Sequence, residues 1–408
     1  MKCGLLGQTL RHSYSPAIHR CLGDDSYALF EKEPQELENF LRHGDFDGLN
    51  VTIPYKKAVI PYLDELTDTA CKLGAVNTIV RRKDGSLLGH NSDYFGFQYL
   101  LRQTGLSVQG KKCLVLGSGG ASATVCAVLR EQGADTVVIS RSGENNYENL
   151  ALHRDARLLV NTTPLGMYPH NGVSPVSLSQ LPQLEGVLDL IYNPARTALL
   201  LEAQARGLVA ENGLSMLVAQ AKESAEYFQN HPISDEKIRE IHHNLKNQAE
   251  NIILIGMPGC GKSTVAAALA HATGRALLDT DAEIEKAAGT SIPTLFAEQG
   301  EAAFRQLETE VLARFGKESG LIIATGGGCV TQARNLPLLR QNGTLFWLQR
   351  DLSALPVQGR PLSQSQNLAQ MYRQRRPLYQ AFADHSVDNN GTVAHTVSQI
   401  LTILEERP

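Results

Sequence analysis

The segment 256–263 constrains the fold of this 408-residue chain more than any other stretch. It reads GMPGCGKS, it follows the apolar run IILIG, and it precedes STVAAALAHAT, a run rich in small residues. Glycines here let backbone N–H groups curl around an anion, and the N-terminus of a helix adds about half a positive charge. The pattern G-x-x-x-x-G-K-S/T between a strand and a helix predicts a nucleotide-phosphate loop in a doubly wound α/β domain.

Within this phosphate loop, Lys262 can reach the β- and γ-phosphates, and the Ser263 hydroxyl can bind Mg²⁺. The other loop residues that we expect to contact ATP are Gly259, Cys260, Gly261 and Thr264. The alternative is a chance glycine-rich turn, which the flanking strand and helix disfavour.

Three later segments could bind the acceptor of the phosphoryl group. Asp279 and Asp281 lie on one side of a strand end, where one could hold the metal's water shell and the other accept a hydroxyl proton. Alternatively, Asp281 caps a helix. Arg305 and Glu308 share a helix face, a spacing that usually means a surface ion pair. The glycines 326–328 after the strand LIIAT let a ligand touch the backbone.

A second glycine-rich turn, GSGGAS at 117–122, approximates G-x-G-x-x-G and lies between the strand CLVLG and a helix. The next strand, TVVIS, ends at Ser140 and is followed by Arg141 and Ser142. A NAD site would place an acidic residue there for the ribose hydroxyl. An arginine flanked by hydroxyls favours the extra phosphate of NADP instead. The alternative is an exposed loop arginine.

Polar residues cluster in four segments of the first 100 residues, HSYSP, GLNVTIPYKKA, GAVNTI and GHNSDYFG. Each could be ordinary turn chemistry, and Lys56 could be a solvated surface lysine. Catalytic groups nevertheless concentrate in such loops. The candidates in these segments are Ser13, Ser15, Asn50, Thr52, Lys56, Asn77, Asn91 and Asp93.

Composition limits the class of protein. The length suggests two or three domains, and the fractions of 42% hydrophobic and 20% charged residues are ordinary for a soluble globular protein. A net charge of -4 points to neither nucleic acid nor a membrane surface. Seven widely spaced cysteines without a CxxC motif predict neither disulfides nor a zinc site. Without an apolar span or a signal-peptide core, we expect a cytoplasmic protein that acts on small molecules, of unknown oligomeric state.

Over nearly all of 250–400 the chain resembles shikimate kinase, through GMPGCGKST, DTD, GEAAFR, ATGGG, GRPL and RRPLY. The resemblance implies ATP and Mg²⁺ as cofactors, Lys262 and Asp281 as catalytic residues, and Ser263 with Asp279 at the metal. It places the substrate among Asp281, Arg305, Gly327, Gly328 and Arg375. Two arginines suit a carboxylate because each guanidinium binds it bidentately.

The same resemblance implies that Arg360 is a lid arginine that closes on the transferred phosphate. The stretch between Asp351 and Gly359 is shorter than the family's usual lid, which opens with an arginine that stacks on adenine. Arg350 is the nearest candidate for that arginine, but it lies very close to the strand end. We therefore expect weaker ATP binding or altered lid motion, with the same reaction class.

Over about 1–245 the chain resembles shikimate dehydrogenase, through the four polar segments and LGSGGAS, NTTPLGM, DLIYNP and NGLSMLVAQA. The departures are small: SRS replaces the usual Asn-Arg-Thr, and NSD replaces NTD. The implied substrate-site residues are Ser13, Ser15, Thr52, Lys56, Asn77, Asp93 and Gln220. The implied NADP-site residues are Gly117, Ser118, Gly119, Gly120, Ala121, Ser140, Arg141, Ser142, Thr162 and Met216.

Ketone reduction by this site needs a cation near the carbonyl oxygen and a source of a proton. Lys56 can serve as both, with Asp93 orienting it and sharing the proton. Hydroxyl and amide side chains suit a polyhydroxylated ring, and a site built around them rejects analogues that lack the hydroxyls.

The predicted architecture is therefore α/β, a two-lobed dehydrogenase with a Rossmann NADP-binding domain, followed by a phosphate-loop kinase domain with a parallel sheet. The boundaries are a substrate-binding domain at 1–100 completed by a helix at 212–230, a Rossmann domain at 101–211, a helical linker at 231–249 and a kinase domain at 250–408. The resemblance implies reduction of 3-dehydroshikimate and then phosphorylation of shikimate. Two alternatives remain: a quinate/shikimate dehydrogenase joined to another small-polyol kinase, or a non-catalytic metabolite sensor.

Overall fold

A computed structural model describes residues 1–10, 13–355 and 368–406. The chain forms two compact units. The first unit comprises Met1–Leu165, Ser174–Tyr192 and Glu202–Asn244. The second unit comprises Gly166–Val173, Asn193–Leu201 and Leu245–Pro408.

The strands are short, as expected for α/β units, and several are buried along their whole length. They are β1 Cys3–Gly7, β2 Ala28–Glu31, β3 Gly48–Val51, β4 Glu65–Leu66, β5 Thr78–Arg81, β6 Leu87–His90, β7 Lys112–Leu116, β8 Asp135–Ile139, β9 Leu158–Asn161, β10 Gly186–Asp189, β11 Val209–Asn212, β12 Asn251–Ile255, β13 Leu277–Asp279, β14 Ile322–Ala324, β15 Gly343–Gln349 and β16 His385–Asp388.

Helices connect most of these strands. They are α1 Ser15–Cys21, α2 Leu37–His43, α3 Asp68–Leu73, α4 Asp93–Gln103, α5 Gly120–Glu131, α6 Ala198–Ala205, α7 Leu214–Gln229, α8 Glu236–Ala249, α9 Lys262–Thr273, α10 Thr280–Ala288, α11 Ile292–Phe315, α12 Asn335–Arg340, α13 Leu368–Phe382 and α14 Val393–Glu405.

The first unit begins with a six-stranded mixed sheet in the order β2-β1-β3-β5-β6-β4. Its β1–β2 and β1–β3 pairs are parallel, whereas β3–β5 and β5–β6 are antiparallel. Helix α7 packs on this sheet so closely that a side chain at Gly48 of β3 would overlap the Phe228 ring. The helix therefore contributes side chains to any cavity at the ends of β3 and β5.

A second sheet in the same unit is five-stranded and fully parallel, in the order β11-β10-β9-β7-β8. Its strands and α5 share one buried core that includes Val115, Val125 and Val160. Near-continuous apolar strands are typical of a sheet covered by helices on both faces. The order reverses beside β7, the position at which such sheets bind dinucleotides.

The second unit contains a five-stranded parallel sheet in the order β13-β14-β12-β15-β16. Every residue of the central strand β12 is buried. Gly261 precedes α9 with φ of 100°, a left-handed conformation that strongly favours glycine. This glycine lets the chain turn from β12 into α9 around the phosphate loop.

These three sheets confirm the predicted α/β class with a Rossmann sheet and a phosphate-loop unit. The seven cysteines are all unpaired; only Cys21 and Cys71 are exposed. Among the described residues, no helix combines the length and apolarity needed to cross a membrane.

Candidate active sites

A cavity of about 240 Å³ opens in the first unit where β3, β5 and the start of α4 face α7. Most of its lining comes from the four N-terminal polar segments and from α7, which supplies Met216 and Gln220. The lining residues are Leu5, Ser13, Ser15, Asn50, Val51, Thr52, Lys56, Asn77, Asp93, Leu190, Tyr192, Gly213, Met216, Leu217 and Gln220. The structure thus brings together every predicted substrate-site residue of the dehydrogenase part.

Lys56 and Asp93 form the charged pair of this cavity, with Lys56 Nζ donating to Asp93 Oδ2 at 2.5 Å. Asp93 is the first residue of α4, and its backbone N–H donates to the Asn91 side chain at 3.1 Å. The Asn91 amide in turn donates to the carbonyl of Ala75 at 2.9 Å. The acid is therefore fixed by its own turn, and it orients the lysine.

Asn77 presents a defined end of its amide to the cavity. Its Oδ1 accepts from the Ser92 N–H at 2.8 Å, and it lies 3.2 Å from the Ser92 hydroxyl and 3.1 Å from the Thr78 hydroxyl. Because this oxygen is occupied, the Nδ2 group is left to donate to a ligand. A hydrogen-bond donor at this place suits a hydroxyl or carboxylate oxygen of the substrate.

The glycine turn 117–122 connects β7 to α5 and is open to solvent at Ser118, Gly119, Gly120 and Ala121. A Cβ atom added at Gly119 or at Gly120 would meet no other atom within 4 Å, so a ligand can approach the backbone there. Gly117, with φ of 102°, packs instead against the Thr162 hydroxyl, which donates to the carbonyl of Leu116 at 2.6 Å. The turn fits the pyrophosphate of a dinucleotide.

The end of β8 carries the residues predicted to hold the 2′-phosphate of NADP. Ser140 is half-buried, and Arg141 and Ser142 are exposed. Burial raises the pKa of the nearby Tyr147, and the Arg141 charge opposes that rise. Because Arg141 is exposed, its guanidinium can reach an anion in solution.

The larger cavity, about 880 Å³, lies in the second unit around the phosphate loop. Its lining residues are Pro258, Gly259, Gly261, Lys262, Ser263, Thr264, Asp279, Asp281, Glu285, Ile292, Pro293, Phe296, Phe304, Arg305, Glu308, Thr325, Gly326, Gly327, Gly328, Arg350, Ala354 and Arg375. Cys260 is buried, and its carbonyl accepts from Asn389 Nδ2 at 2.6 Å. Its backbone N–H donates to the carbonyl of Met257 at 3.2 Å, and Cys260 does not line the cavity, so its contact with ATP stays a prediction.

Asp279, the last residue of β13, and Asp281, in the first turn of α10, have different roles. Asp279 caps α10 by accepting from the Asp281 N–H at 3.0 Å, so the alternative that Asp281 is the cap is wrong. The other oxygen of Asp279 accepts from the Ser263 hydroxyl at 2.9 Å. Asp281 is left to line the cavity, where desolvation by the cavity walls and the Asp279 charge raise the pKa of its carboxyl.

The Ser263–Asp279 pair fits a magnesium ion, because Mg²⁺ takes one or two protein oxygens and completes its shell with water and phosphate. Lys262 Nζ donates to the carbonyls of Gly256 and Met257 at 3.0 and 3.1 Å, inside the curve of the loop. Among the described residues, no group of three or more His, Cys, Asp or Glu side chains could hold a metal. The described residues therefore do not form a metal site from protein ligands alone.

Arg305 and Glu308 form a buried ion pair at 2.8 Å, with 7% and 0% of their side chains exposed. The expectation of a surface ion pair is wrong. Arg305 Nη2 also lies 2.2 Å from the position that a Gly328 side chain would occupy. Burial raises the pKa of Glu308, and the adjacent arginine opposes that rise. This pair fixes the guanidinium against the glycine run.

Arg375 approaches the same glycine run from α13, donating to the carbonyl of Gly327 at 3.0 Å. The buried Tyr379, one turn further along α13, donates to the same carbonyl at 2.5 Å. The cavity thus holds Arg305 and Arg375 with the glycines between them. These two guanidinium groups beside the glycine run are suited to an acidic substrate.

Several lining residues were not among the predicted site residues. Phe296 and Phe304, with ring centroids 4.7 Å apart, form an apolar wall, and Tyr192 contributes a ring to the smaller cavity. The sequence signal for Tyr192 was its place after the strand GVLDLI. Arg350 does reach the cavity, with Nη1 3.6 Å from the position of a Gly261 side chain, although it follows β15 immediately. Arg360 lies outside the described residues.

Comparison with protein families gives two matches along the chain. Residues 5–79 match the shikimate dehydrogenase substrate binding domain, and residues 258–405 match shikimate kinase. The second match contains the phosphate loop from Pro258 onward, both aspartates and all three arginines that line the larger cavity.

Curated relatives match the first part of the chain over most of their own length. The shikimate dehydrogenase (NADP(+)) of Caldanaerobacter subterraneus subsp. tengcongensis is 38% identical over 246 residues, which are 53% of this chain and 88% of the relative. The protein of the same name from Shouchella clausii is 38% identical over 252 residues, covering 55% and 91%.

Solved structures give the same result. A chorismate mutase/shikimate 5-dehydrogenase fusion protein from Clostridium acetobutylicum is 35% identical, with a TM-score of 0.56 over 60% of this chain and 96% of that one. Shikimate 5-dehydrogenase from Thermus thermophilus in complex with NADP(H) and shikimate is 32% identical, with a TM-score of 0.53 over 59% and 98%. The chain belongs to the shikimate dehydrogenase family and carries, at 258–405, a shikimate kinase domain.

Proposed function

We propose that this protein is a bifunctional shikimate-pathway enzyme that reduces 3-dehydroshikimate with NADPH and phosphorylates the resulting shikimate, at its 3-hydroxyl, with MgATP. The observation that carries the proposal is that Arg305 and Arg375 line the same cavity as the phosphate loop. Such a cavity suits an acid that accepts a phosphoryl group. The smaller cavity offers a matching set of hydroxyl and amide groups around one lysine.

In the smaller cavity NADPH supplies the hydride when bound. Lys56 lies where its ammonium group can stabilise the negative charge that develops on the substrate's carbonyl oxygen, and it can deliver a proton to that oxygen. Asp93, 2.5 Å away, holds the ammonium group in place, and the partly exposed Lys56 takes up its next proton from water. Ser13, Ser15 and Thr52 supply hydroxyls that match a hydroxylated ring.

In the larger cavity ATP, with Mg²⁺, supplies the phosphoryl group when bound. Lys262 and the loop backbone hold the phosphates, and Ser263 with Asp279 would hold the metal. Asp281 is placed to accept the proton of the attacking hydroxyl, for which its raised pKa is an advantage at neutral pH. The cavity's arginines bind the carboxylate of shikimate.

The domain boundaries remain part of the proposal. The substrate-binding domain would comprise 1–100 and the helix at 212–230, supported by the close packing of α7 on β3. The Rossmann domain would be 101–211, the linker 231–249 and the kinase domain 250–408. With a net charge of -4 we expect only small-molecule substrates, and neither nucleic acid nor a membrane as a partner.

A coupled assay on the intact chain tests the function. We expect 3-dehydroshikimate, NADPH and MgATP together to give shikimate 3-phosphate, and omission of ATP to stop the reaction at shikimate. Quinate and gluconate serve as competing substrates, and NADH as the competing cofactor. A preference for quinate would favour the alternative dehydrogenase, and no turnover in either half would favour a metabolite sensor.

A further inference from the structure

A fully buried hydroxyl on α7, that of Ser224, lies behind the smaller cavity without lining it. Its Oγ accepts from Asn50 Nδ2 at 2.7 Å and lies 2.9 Å from the hydroxyls of Thr78 and Ser92. It also lies 2.9 Å from the carbonyl of Gln220, one turn earlier on the same helix. One oxygen therefore joins four segments of the chain.

Counting protons fixes the direction of these bonds. Ser224 has one proton, which it donates to the carbonyl of Gln220 in its own helix. Its oxygen accepts from the Asn50 amide, so it can accept from only one of the two neighbouring hydroxyls. The other hydroxyl, of Thr78 or Ser92, can donate to Asn77 Oδ1 or to its neighbouring hydroxyl 3.2 Å away. The Ser92 N–H, which donates to Asn77 Oδ1 at 2.8 Å, makes this oxygen an acceptor, and the hydroxyls joined by Ser224 support the same orientation of the amide, with Nδ2 left to the cavity.

Each partner of Ser224 stands next to a residue of the cavity. Thr78 follows Asn77, and Ser92 precedes Asp93. Asn50 lines the cavity itself, two residues before Thr52. The helix itself carries Gln220, whose Oε1 lies 3.4 Å from the Ser92 hydroxyl. A displacement of the Ser224 side chain or of its partners would therefore change the relative positions of several residues that line the cavity.

We propose that Ser224 is a positioning residue for the dehydrogenase substrate, a role that rests on the proposed function. Without its hydroxyl, Asn50 Nδ2 keeps only a 3.4 Å contact with the carbonyl of Asn77. A buried donor without a good acceptor is costly, so the Asn50 amide rotates or the helix shifts. Either movement disturbs Asn77 and Gln220, which contact the substrate, and leaves the exposed NADP turn at 117–122 unchanged.

The test compares Ser224→Ala with Thr104→Ala in the full-length protein. Thr104 donates to the carbonyl of Leu101 at 2.7 Å at the end of α4 and does not line the cavity, so it controls for loss of a helix hydroxyl. For Ser224→Ala we expect KM for 3-dehydroshikimate to rise roughly tenfold, the effect of about one buried hydrogen bond. We expect KM for NADPH to stay within about twofold, and kcat to change less than KM for the ketone.

Ser224→Cys is the second variant, since it leaves no cavity at this position and its thiol is only a weak donor and acceptor. It should raise the same KM in the same direction, and it decides the question if the alanine variant does not fold. An unchanged KM for 3-dehydroshikimate in a folded variant, or a parallel rise in both KM values, would overturn the positioning role. Wild-type protein without dehydrogenase activity would instead refute the proposed function itself.

Discussion

Lys56 donates a hydrogen bond to Asp93 across the floor of a cavity that is otherwise lined mainly by neutral groups. The two residues are 37 positions apart, one after β3 and one at the start of α4. Only 30% of the lysine side chain and 16% of the aspartate side chain are exposed. This partial shielding makes the pair stronger than a surface ion pair and holds the ammonium group in the cavity.

Lys56→Ala should lower the dehydrogenase kcat by ~10²–10⁴, the usual contribution of a proton-transfer group. Kinase activity of the same preparation should be unchanged. Lys57→Ala, which replaces the exposed neighbouring lysine, is the matched control and should behave like wild type. A dehydrogenase rate within a few-fold of wild type would remove Lys56 from the mechanism.

Arg141→Asp should shift the cofactor preference from NADP toward NAD, because a carboxylate repels the 2′-phosphate and can accept a bond from the ribose hydroxyl. The measurement is the ratio of kcat/KM for NADPH and NADH. Arg154→Asp makes the same charge change at another exposed position of the first unit and should leave that ratio unaltered. If NADP preference persists in the Arg141 variant, other residues bind the 2′-phosphate.

Lys262→Ala should abolish phosphoryl transfer and leave ketone reduction intact, since the ammonium group lies within the curve of the phosphate loop. Both activities can be measured on one sample. Lys286→Ala is the control, as 77% of that side chain is exposed and it only approaches Glu283 at 3.8 Å. Kinase turnover in the Lys262 variant would contradict the assignment of the loop.

Gly328→Ala should raise KM for shikimate by roughly ten- to a hundredfold, the worth of one charge-assisted hydrogen bond. The added methyl group would lie 2.2 Å from Arg305 Nη2, and the guanidinium must move away from the cavity. In the control variant Gly391→Ala, the atom nearest to the added methyl group would be a ring carbon of His395, 3.9 Å away. This variant should therefore have the same KM for shikimate as the wild type. A normal KM in the Gly328 variant would show that Arg305 does not contact the substrate.

The pH profile of the kinase tests the role of Asp281. Desolvation and the Asp279 charge raise the pKa of its carboxyl above 3.8, and Glu285 adds to the rise. A base works only when deprotonated, so kcat/KM for shikimate should fall as the pH drops through this raised pKa. Glu285→Gln removes one negative charge and should move the acidic limb to lower pH. If the acidic limb of the profile does not move in Glu285→Gln, a group other than Asp281 is responsible for that limb.

The sequence predicted the features that depend on short, contiguous motifs. Both glycine turns lie between the expected strands and helices, and the α/β class is confirmed. The mixed direction of the first sheet was not predicted, because antiparallel pairing of β3 with β5 depends on contacts between distant segments. The same reason applies to the cap of α10 and to the burial of Glu308, since sequence spacing alone does not reveal solvent exposure.

Ser224 illustrates the limit most clearly. In sequence it is an ordinary serine in an amphipathic helix, and its partners lie 132, 146 and 174 positions away. Only the folded chain shows that one hydroxyl connects them. Short-range patterns therefore identified many of the residues that line the two cavities, while a buried residue behind them, such as Ser224, required the structure.

The distribution of thiols has a practical consequence. Cys21 and Cys71, the two exposed cysteines, both belong to the first unit, whereas Cys260 and Cys329 beside the phosphate loop and the glycine run are buried. Burial also raises the pKa of Cys329 to about 12, which suppresses the reactive thiolate. A maleimide dye would consequently label the native protein on the dehydrogenase side alone. Fluorescence could then follow that half of the enzyme while the kinase works unlabelled in the same molecule.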